Sequence, residues 1–335
     1  MAGHMVLVHG IGVRLPVPQH NKWKKIMKIF SGTSNIELSK KIAKLAGVPL
    51  GKIDLETFSD GELRVAFKEN IRGENVFLIQ STNPPAENLF QLLLMLDAAK
   101  RASAKTVTAV IPYYGYSRQD RKDQPRVPIS ARMIMDLMCA AGVDRMITMD
   151  LHSPQIQGFT NVPFDNLYSR IILFNQLKGF NLDFNNGVVL APDIGSAKMS
   201  QSYAKKLGIG FALIDKRRPE HNVAEVVNLI GELKNKHVFI IDDMIDTAGT
   251  ICNAAQTAID NGAQSVVAVA THPVLSGPAV ERLKEAPIEK IIVSDTITIS
   301  PNKQFEKLEV VSVAEVFAEA IIRINKGDSI SELFN

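Results

Sequence analysis

The chain has 335 residues, with 38 basic and 35 acidic side chains and a formal charge of +3. That balance excludes a broad nucleic-acid surface and leaves a local anion site as the electrostatic possibility. A membrane span of roughly 18 apolar residues is absent, since the best run, residues 89–99, is broken by Gln91 and Asp97.

The length exceeds what one hydrophobic core usually serves, so two domains are expected. The two cysteines, Cys139 and Cys252, lie inside apolar helical patterns with no paired spacing, which suits a soluble protein of the reducing cytoplasm. At the start, Met1-Ala2-Gly3-His4-Met5 looks like a cloning scar, and the next residues lack the apolar core and cleavage site of a signal peptide. Residues 1–26 are therefore set apart as an extension.

Beyond the extension, apolar β-rich runs alternate with helical periods. The runs are residues 76–79, 107–111, 146–149, 188–190, 238–241, 266–270 and 291–293. Continuous apolar strands separated by helices predict an α/β fold of mainly parallel sheets covered on both faces. Val76-Phe77-Leu78-Ile79 recurs 162 positions later as Val238-Phe239-Ile240-Ile241, and residues 104–110 recur 159 positions later as 263–269. Two similar offsets in one order predict a duplicated domain. The expected division gives residues 27–165 plus 308–335 to an N-terminal domain and 166–307 to a C-terminal one. A last helix over 313–324 would pack back on the first half.

Several strand ends carry chemistry. Residues 112–122 include Arg118, Gln119, Asp120 and Arg121, where guanidinium groups suit phosphate oxygens and the amide and acid suit a ring nitrogen or ribose. The same run reads equally well as a solvated loop. Asp150-Leu151-His152 and Ala191-Pro192-Asp193 place acids and an imidazole where a Mg²⁺ could be held through water. Ile214-Asp215-Lys216-Arg217-Arg218-Pro219 puts three consecutive cations on an expected turn, either a wet loop or an arm that meets developing phosphoryl charge.

The most specific stretch is residues 238–250. Its apolar run ends in Asp242 and Asp243, and Asp246-Thr247-Ala248-Gly249-Thr250 leads into a helix. Small residues let successive N–H groups converge on a phosphate at the positive helix end. Two carboxylates accept from a vicinal diol or hold a sugar-bound Mg²⁺. Together they describe a ribose 5-phosphate, and the stretch resembles the phosphoribosyl-diphosphate loop of type I phosphoribosyltransferases. At an offset of 162 the first half instead has Gln80, Ser81, Pro84, Pro85, Glu87 and Asn88. Two prolines delete N–H donors and a glutamate puts negative charge where a phosphate would sit.

The chain beyond the extension resembles the bacterial class I ribose-phosphate diphosphokinases. The motifs that carry this are Phe58-Ser59-Asp60-Gly61-Glu62, residues 114–122, Asp150-Leu151-His152 with residues 155–159, residues 215–219, residues 242–250 and residues 271–277. The resemblance implies two tandem type I phosphoribosyltransferase-like domains and transfer of the diphosphoryl group of ATP to the C1 hydroxyl of ribose 5-phosphate, with Mg²⁺. It implies that Phe58, Asp60 and Glu62 reach adenine from a neighbouring subunit, and that Arg118, Gln119, Asp120 and His152 bind ATP. His152 and Asp193 would hold Mg²⁺. Asp242, Asp243 and residues 246–250 would bind ribose 5-phosphate, while Lys216 and Arg218 would stabilise the transition state. A homohexamer with allosteric control is the family's usual assembly, with no nucleic-acid or membrane partner. Two departures stand out: Asn161 where an acid is expected, and Ser196 where Pro-Asp-x-Gly-Gly is expected. An ordinary phosphoribosyltransferase shares the 242–250 loop but lacks the 118–120 and 216–218 elements, and a silent regulatory homologue would not need both cation sites.

Overall fold

The computed structural model describes residues 27–179, 184–217 and 226–334. The extension 1–26 and Arg218 lie outside the described residues. In the first half the elements are β1 (Met27–Ser31), α1 (Ile36–Leu45), β2 (Ile53–Thr57), β3 (Leu63–Phe67), β4 (Asn75–Ile79), α2 (Glu87–Arg101), β5 (Thr106–Ile111), α3 (Ser130–Ala140), β6 (Arg145–Met149) and β7 (Phe164–Leu167). The second half comprises α4 (Arg170–Gly179), β8 (Gly187–Ala191), α5 (Ala197–Leu207), β9 (Gly210–Arg217), β10 (Val226–Ile230), β11 (His237–Ile245), α6 (Gly249–Asp260), β12 (Ser265–Pro273), α7 (Ala279–Glu285), β13 (Lys290–Ser294), β14 (Leu308–Val311) and α8 (Ala314–Lys326).

Strands β4, β8 and β12 are buried along their whole length, as runs without polar alternation must be when helices cover both faces. The first sheet has the order β1-β4-β5-β6-β7 and is parallel throughout. The second has the order β10-β9-β8-β11-β12-β13-β14, parallel except for the β9–β10 pair. The recurring runs take matching places: β4 lies between β1 and β5, and β11 lies between β8 and β12. Strands β2 and β3 form a separate antiparallel hairpin.

Local signals set the helix ends. Asn35 caps α1 by accepting the Leu38 N–H at 3.2 Å, and α5 stops at Gly208, whose φ of 70° is left-handed.

The halves exchange helices. Leu173, Phe174 and Leu177 of α4, which follows the first sheet, pack with Val189, Phe239 and Ile241 of the second. Conversely, Val316, Phe317 and Ile321 of α8, which follows the second sheet, pack with Ile29, Phe77 and Ile147 of the first. Each such buried side chain contributes roughly 1.5–3 kcal/mol, so the exchange fixes one half against the other. The sheets divide differently from the expected boundary. Asn166 and Leu167 still pair with Thr148 and Met149, so the first sheet runs past Asp165. Residues 308–311 pair with β13, and only the chain from α8 onward returns to the first half. Among the described residues, no helix is long and apolar enough to cross a membrane.

Candidate active site

A cleft of about 1250 Å³ lies between the halves at the carboxyl ends of their strands, the place where parallel sheets expose their loops. Strand β11 does not stop at Ile241 as its apolar run suggested. It continues to Ile245 because β12 pairs with it as far as Pro273, whereas β8 pairs only as far as Ile240. Asp242 and Asp243 therefore lie on a strand whose β8 side is open. Both line the cleft, as does Asp193 behind β8.

The two carboxylates are in different states. Burial, reinforced by the charges of Asp243 and Asp193, pushes Asp242 well above the ordinary aspartate range. Burial works the same way on Asp243, but the hydrogen bond and charge of His152 outweigh it and hold Asp243 below that range. His152 Nδ1 lies 2.8 Å from Asp243 Oδ2, and this bond raises the imidazole against the opposing effect of burial. The pair joins the first half to the second.

A second bridge joins Arg118 to Asp246, with Nη1 2.6 Å from Oδ2. Asp246 also accepts from the Ser276 hydroxyl. Burial alone would raise its carboxyl, but these two partners hold it low. Beneath the cleft, buried His272 completes the seam: Nε2 lies 3.0 Å from Met149 O and 3.2 Å from Asp150 O, and Nδ1 lies 2.9 Å from Thr296 Oγ1. Two carbonyl neighbours require Nε2 to carry the proton, and burial lowers the imidazole pKa, which keeps it neutral. Asp150 accepts from the Thr271 hydroxyl at 2.7 Å and from the Ser169 N–H at 3.1 Å.

After Asp246 the chain turns at Ala248, whose φ of 62° is left-handed, and enters α6 at Gly249. The N–H groups of residues 246–251 have no hydrogen-bond partner among the described residues. A left-handed turn followed by a helix N-terminus directs such amides at a common anion.

Arg118, Asp120, His152, Asp193, Asp242, Asp243 and residues 246–250 all line this one cleft. Gln119 does not: its side chain accepts from the Ser130 hydroxyl. Phe58, Asp60 and Glu62 form the exposed tip of the β2–β3 hairpin, where Asp60 Oδ1 accepts the Glu62 N–H at 3.0 Å, and none of the three lines the cleft. Lys216 lies on β9 opposite Val227 of β10 rather than on a turn, because β9 runs to Arg217. Asn161 is exposed. Arg170 and Tyr203 line the cleft without having been singled out for the site, and Lys198 lines it behind Asp193. Arg282, whose Nη1 donates to the Thr247 carbonyl at 3.0 Å, was missed altogether. No spacing rule links positions 35 residues apart.

Parallel sheets meeting at a cleft, with acids beside free amides on one side and guanidinium groups on the other, define an α/β enzyme of phosphoribosyl chemistry. Residues 27–142 match the N-terminal domain of ribose phosphate pyrophosphokinase, and residues 218–335 match the phosphoribosyl synthetase-associated domain. The ribose-phosphate pyrophosphokinase of Chlorobaculum tepidum is 52% identical over 309 residues, covering 92% of this chain and 95% of that protein. That of Bacillus subtilis is 48% identical over 312 residues, covering 93% and 98%. The crystal structure of phosphoribosylpyrophosphate synthetase from Mycobacterium smegmatis matches with a TM-score of 0.84 at 36% identity, covering 90% of this chain and 99% of that one. The chain belongs to the ribose-phosphate pyrophosphokinase family.

Proposed function

We propose that the cleft between the halves is where this chain makes 5-phosphoribosyl 1-diphosphate from ribose 5-phosphate and ATP. The observation that carries this reading is the meeting in one cleft of Asp242 and Asp243, the unpartnered amides of residues 246–251, and Arg118. The amides take the 5-phosphate, and the two acids take the ribose hydroxyls. Arg118 and Asp120 take ATP from the opposite wall. With both substrates held, the C1 hydroxyl oxygen of the sugar bonds to the β-phosphorus of ATP as its proton passes to solvent. The bond between that phosphorus and the oxygen bridging it to the α-phosphorus breaks, and AMP leaves. Positioning and neutralisation of charge supply most of the acceleration in such transfers. Lys216 and Arg218 are assigned to the transition-state charge by their place in the family motif.

The donor set fits Mg²⁺. That ion takes one or two carboxylates and fills its shell with water and phosphate oxygens, so it does not need a cluster of three protein ligands, and the described residues contain none. Crowded negative charge at Asp242, Asp243 and Asp193 is what a cation would relieve. His152 would hold the Mg²⁺ of ATP and Asp193 a second Mg²⁺ near the ribose, and the ions would supply neutralisation of phosphate charge. The chain acts in the cytoplasm as a homo-oligomer, a hexamer on family grounds. The exposed hairpin tip at Phe58 and the exposed Phe90, Leu94, Met133 and Leu137 suit contacts between copies. Purified protein is expected to release AMP from ATP only when ribose 5-phosphate and Mg²⁺ are both present. AMP release that ignores the sugar would overturn the reading.

A further inference from the structure

The segment from Leu275 to Arg282, at the start of α7, lies along the outer side of the 246–250 loop. The Leu275 N–H donates to Ile245 O at 2.9 Å, the Ser276 N–H donates to Asp246 O at 3.0 Å, and Arg282 Nη1 donates to Thr247 O at 3.0 Å. Three successive carbonyls are thereby turned the same way. Within a planar trans peptide the C=O and the following N–H point in opposite directions. The N–H groups of Asp246, Thr247 and Ala248 consequently face away from the 275–282 segment, on the side of the cleft that these residues line.

The first two carbonyls are held by backbone, but the third depends on one side chain. Arg282 is exposed, and it forms no ion pair with a carboxylate among the described residues. Its Nη1 lies 3.6 Å from where a Cβ on Gly249 would stand, so its charge sits beside the amides at the helix entry. Without it, the peptide between Thr247 and Ala248 is free to rotate and present a carbonyl oxygen to a bound anion in place of an N–H.

We propose that Arg282 is a positioning residue for the sugar phosphate: it fixes the Thr247 carbonyl outward so that the Ala248 amide stays aimed at the phosphate. The inference rests on the reading that this loop binds ribose 5-phosphate. Arg282→Met should raise KM for ribose 5-phosphate about tenfold, as expected for loss of one charge-assisted hydrogen bond, with KM for ATP and kcat within about twofold. Arg282→Lys, which keeps the charge and a donor on the same helix, should recover part of the affinity. Calorimetry should show the same order, parent tightest and Met weakest. An unchanged affinity for the sugar phosphate, equal shifts in both KM values, or a Lys variant no better than Met would overturn the inference. Failure of the parent protein to bind ribose 5-phosphate would instead strike the functional reading, and the inference with it.

Discussion

The β4–α2 and β11–α6 connections hold equivalent places in their sheets, yet one is filled and the other open. After β11, carboxylates line a cleft and the amides of residues 246–251 are unspent. After β4, Gln80 and Ser81 are buried and their polar groups are consumed within the protein. Gln80 Oε1 accepts the Ser34 hydroxyl at 2.8 Å and the Ser34 N–H at 3.1 Å, while its Nε2 donates to Asn88 O at 3.0 Å and Gln91 Oε1 at 2.9 Å. A Cβ on Gly32 would stand 2.1 Å from Gln80 Oε1, so the side chain packs directly against the chain that leaves β1. The Ser81 hydroxyl donates to Thr296 O at 2.7 Å, which makes this connection part of the seam between the halves. The carboxyl edge of a parallel sheet offers a site by geometry, but only where its polar groups are left without partners. In this chain the open copy is the one proposed to bind, and the filled copy supports.

The largest effect should come from altering the open copy. Asp243→Asn removes the charge that partners His152 and one acceptor for the sugar, and kcat/KM for ribose 5-phosphate should fall about 100-fold. Glu87→Gln, at the start of α2 in the filled copy, should leave it within about twofold. A comparable loss from both would erase the distinction between the copies. The reverse asymmetry is expected for stability. Gln80→Ala strands buried donors and opens a void, and denaturant unfolding should show a loss of about 2–3 kcal/mol with KM for ribose 5-phosphate nearly unchanged.

The smallest effect concerns the His152–Asp243 bridge. The His152 pKa is raised in the folded chain from its ordinary 6.5, chiefly by Asp243, so its stabilisation is full below that value and fades as pH rises through the raised one. Asp243 is lowered from 3.8, so its contribution is present above that value and lost as pH falls. His152→Gln should therefore lower the melting temperature of the ligand-free protein most near pH 5–6 and least near pH 9. A difference that grows toward alkaline pH would contradict the pairing.

Much of this was legible in the sequence because it is local. Apolar runs marked the central strands, the 162-residue offset marked two copies, and the acids followed by small residues of 242–250 marked one wall of the cleft. The edge strands β7, β10 and β14 were not legible, because edges lack continuous apolar runs and are defined by the neighbours they find. The positions of Asp242 and Asp243 within β11 followed from the length of β12, which no reading of β11 alone contains. The hairpin tip at Phe58, Asp60 and Glu62 was singled out by resemblance alone, and it stands apart from its own chain's cleft. Arg282 carried no local signal, since its partner is a backbone carbonyl in another element.

The central claim is that only the second half takes the sugar. Titration calorimetry of ribose 5-phosphate into the protein with Mg²⁺ present tests it most directly. One binding event per chain, abolished or weakened by Asp243→Asn and untouched by Glu87→Gln, is the result expected. Two equivalent sugar sites per chain would contradict the division between the halves.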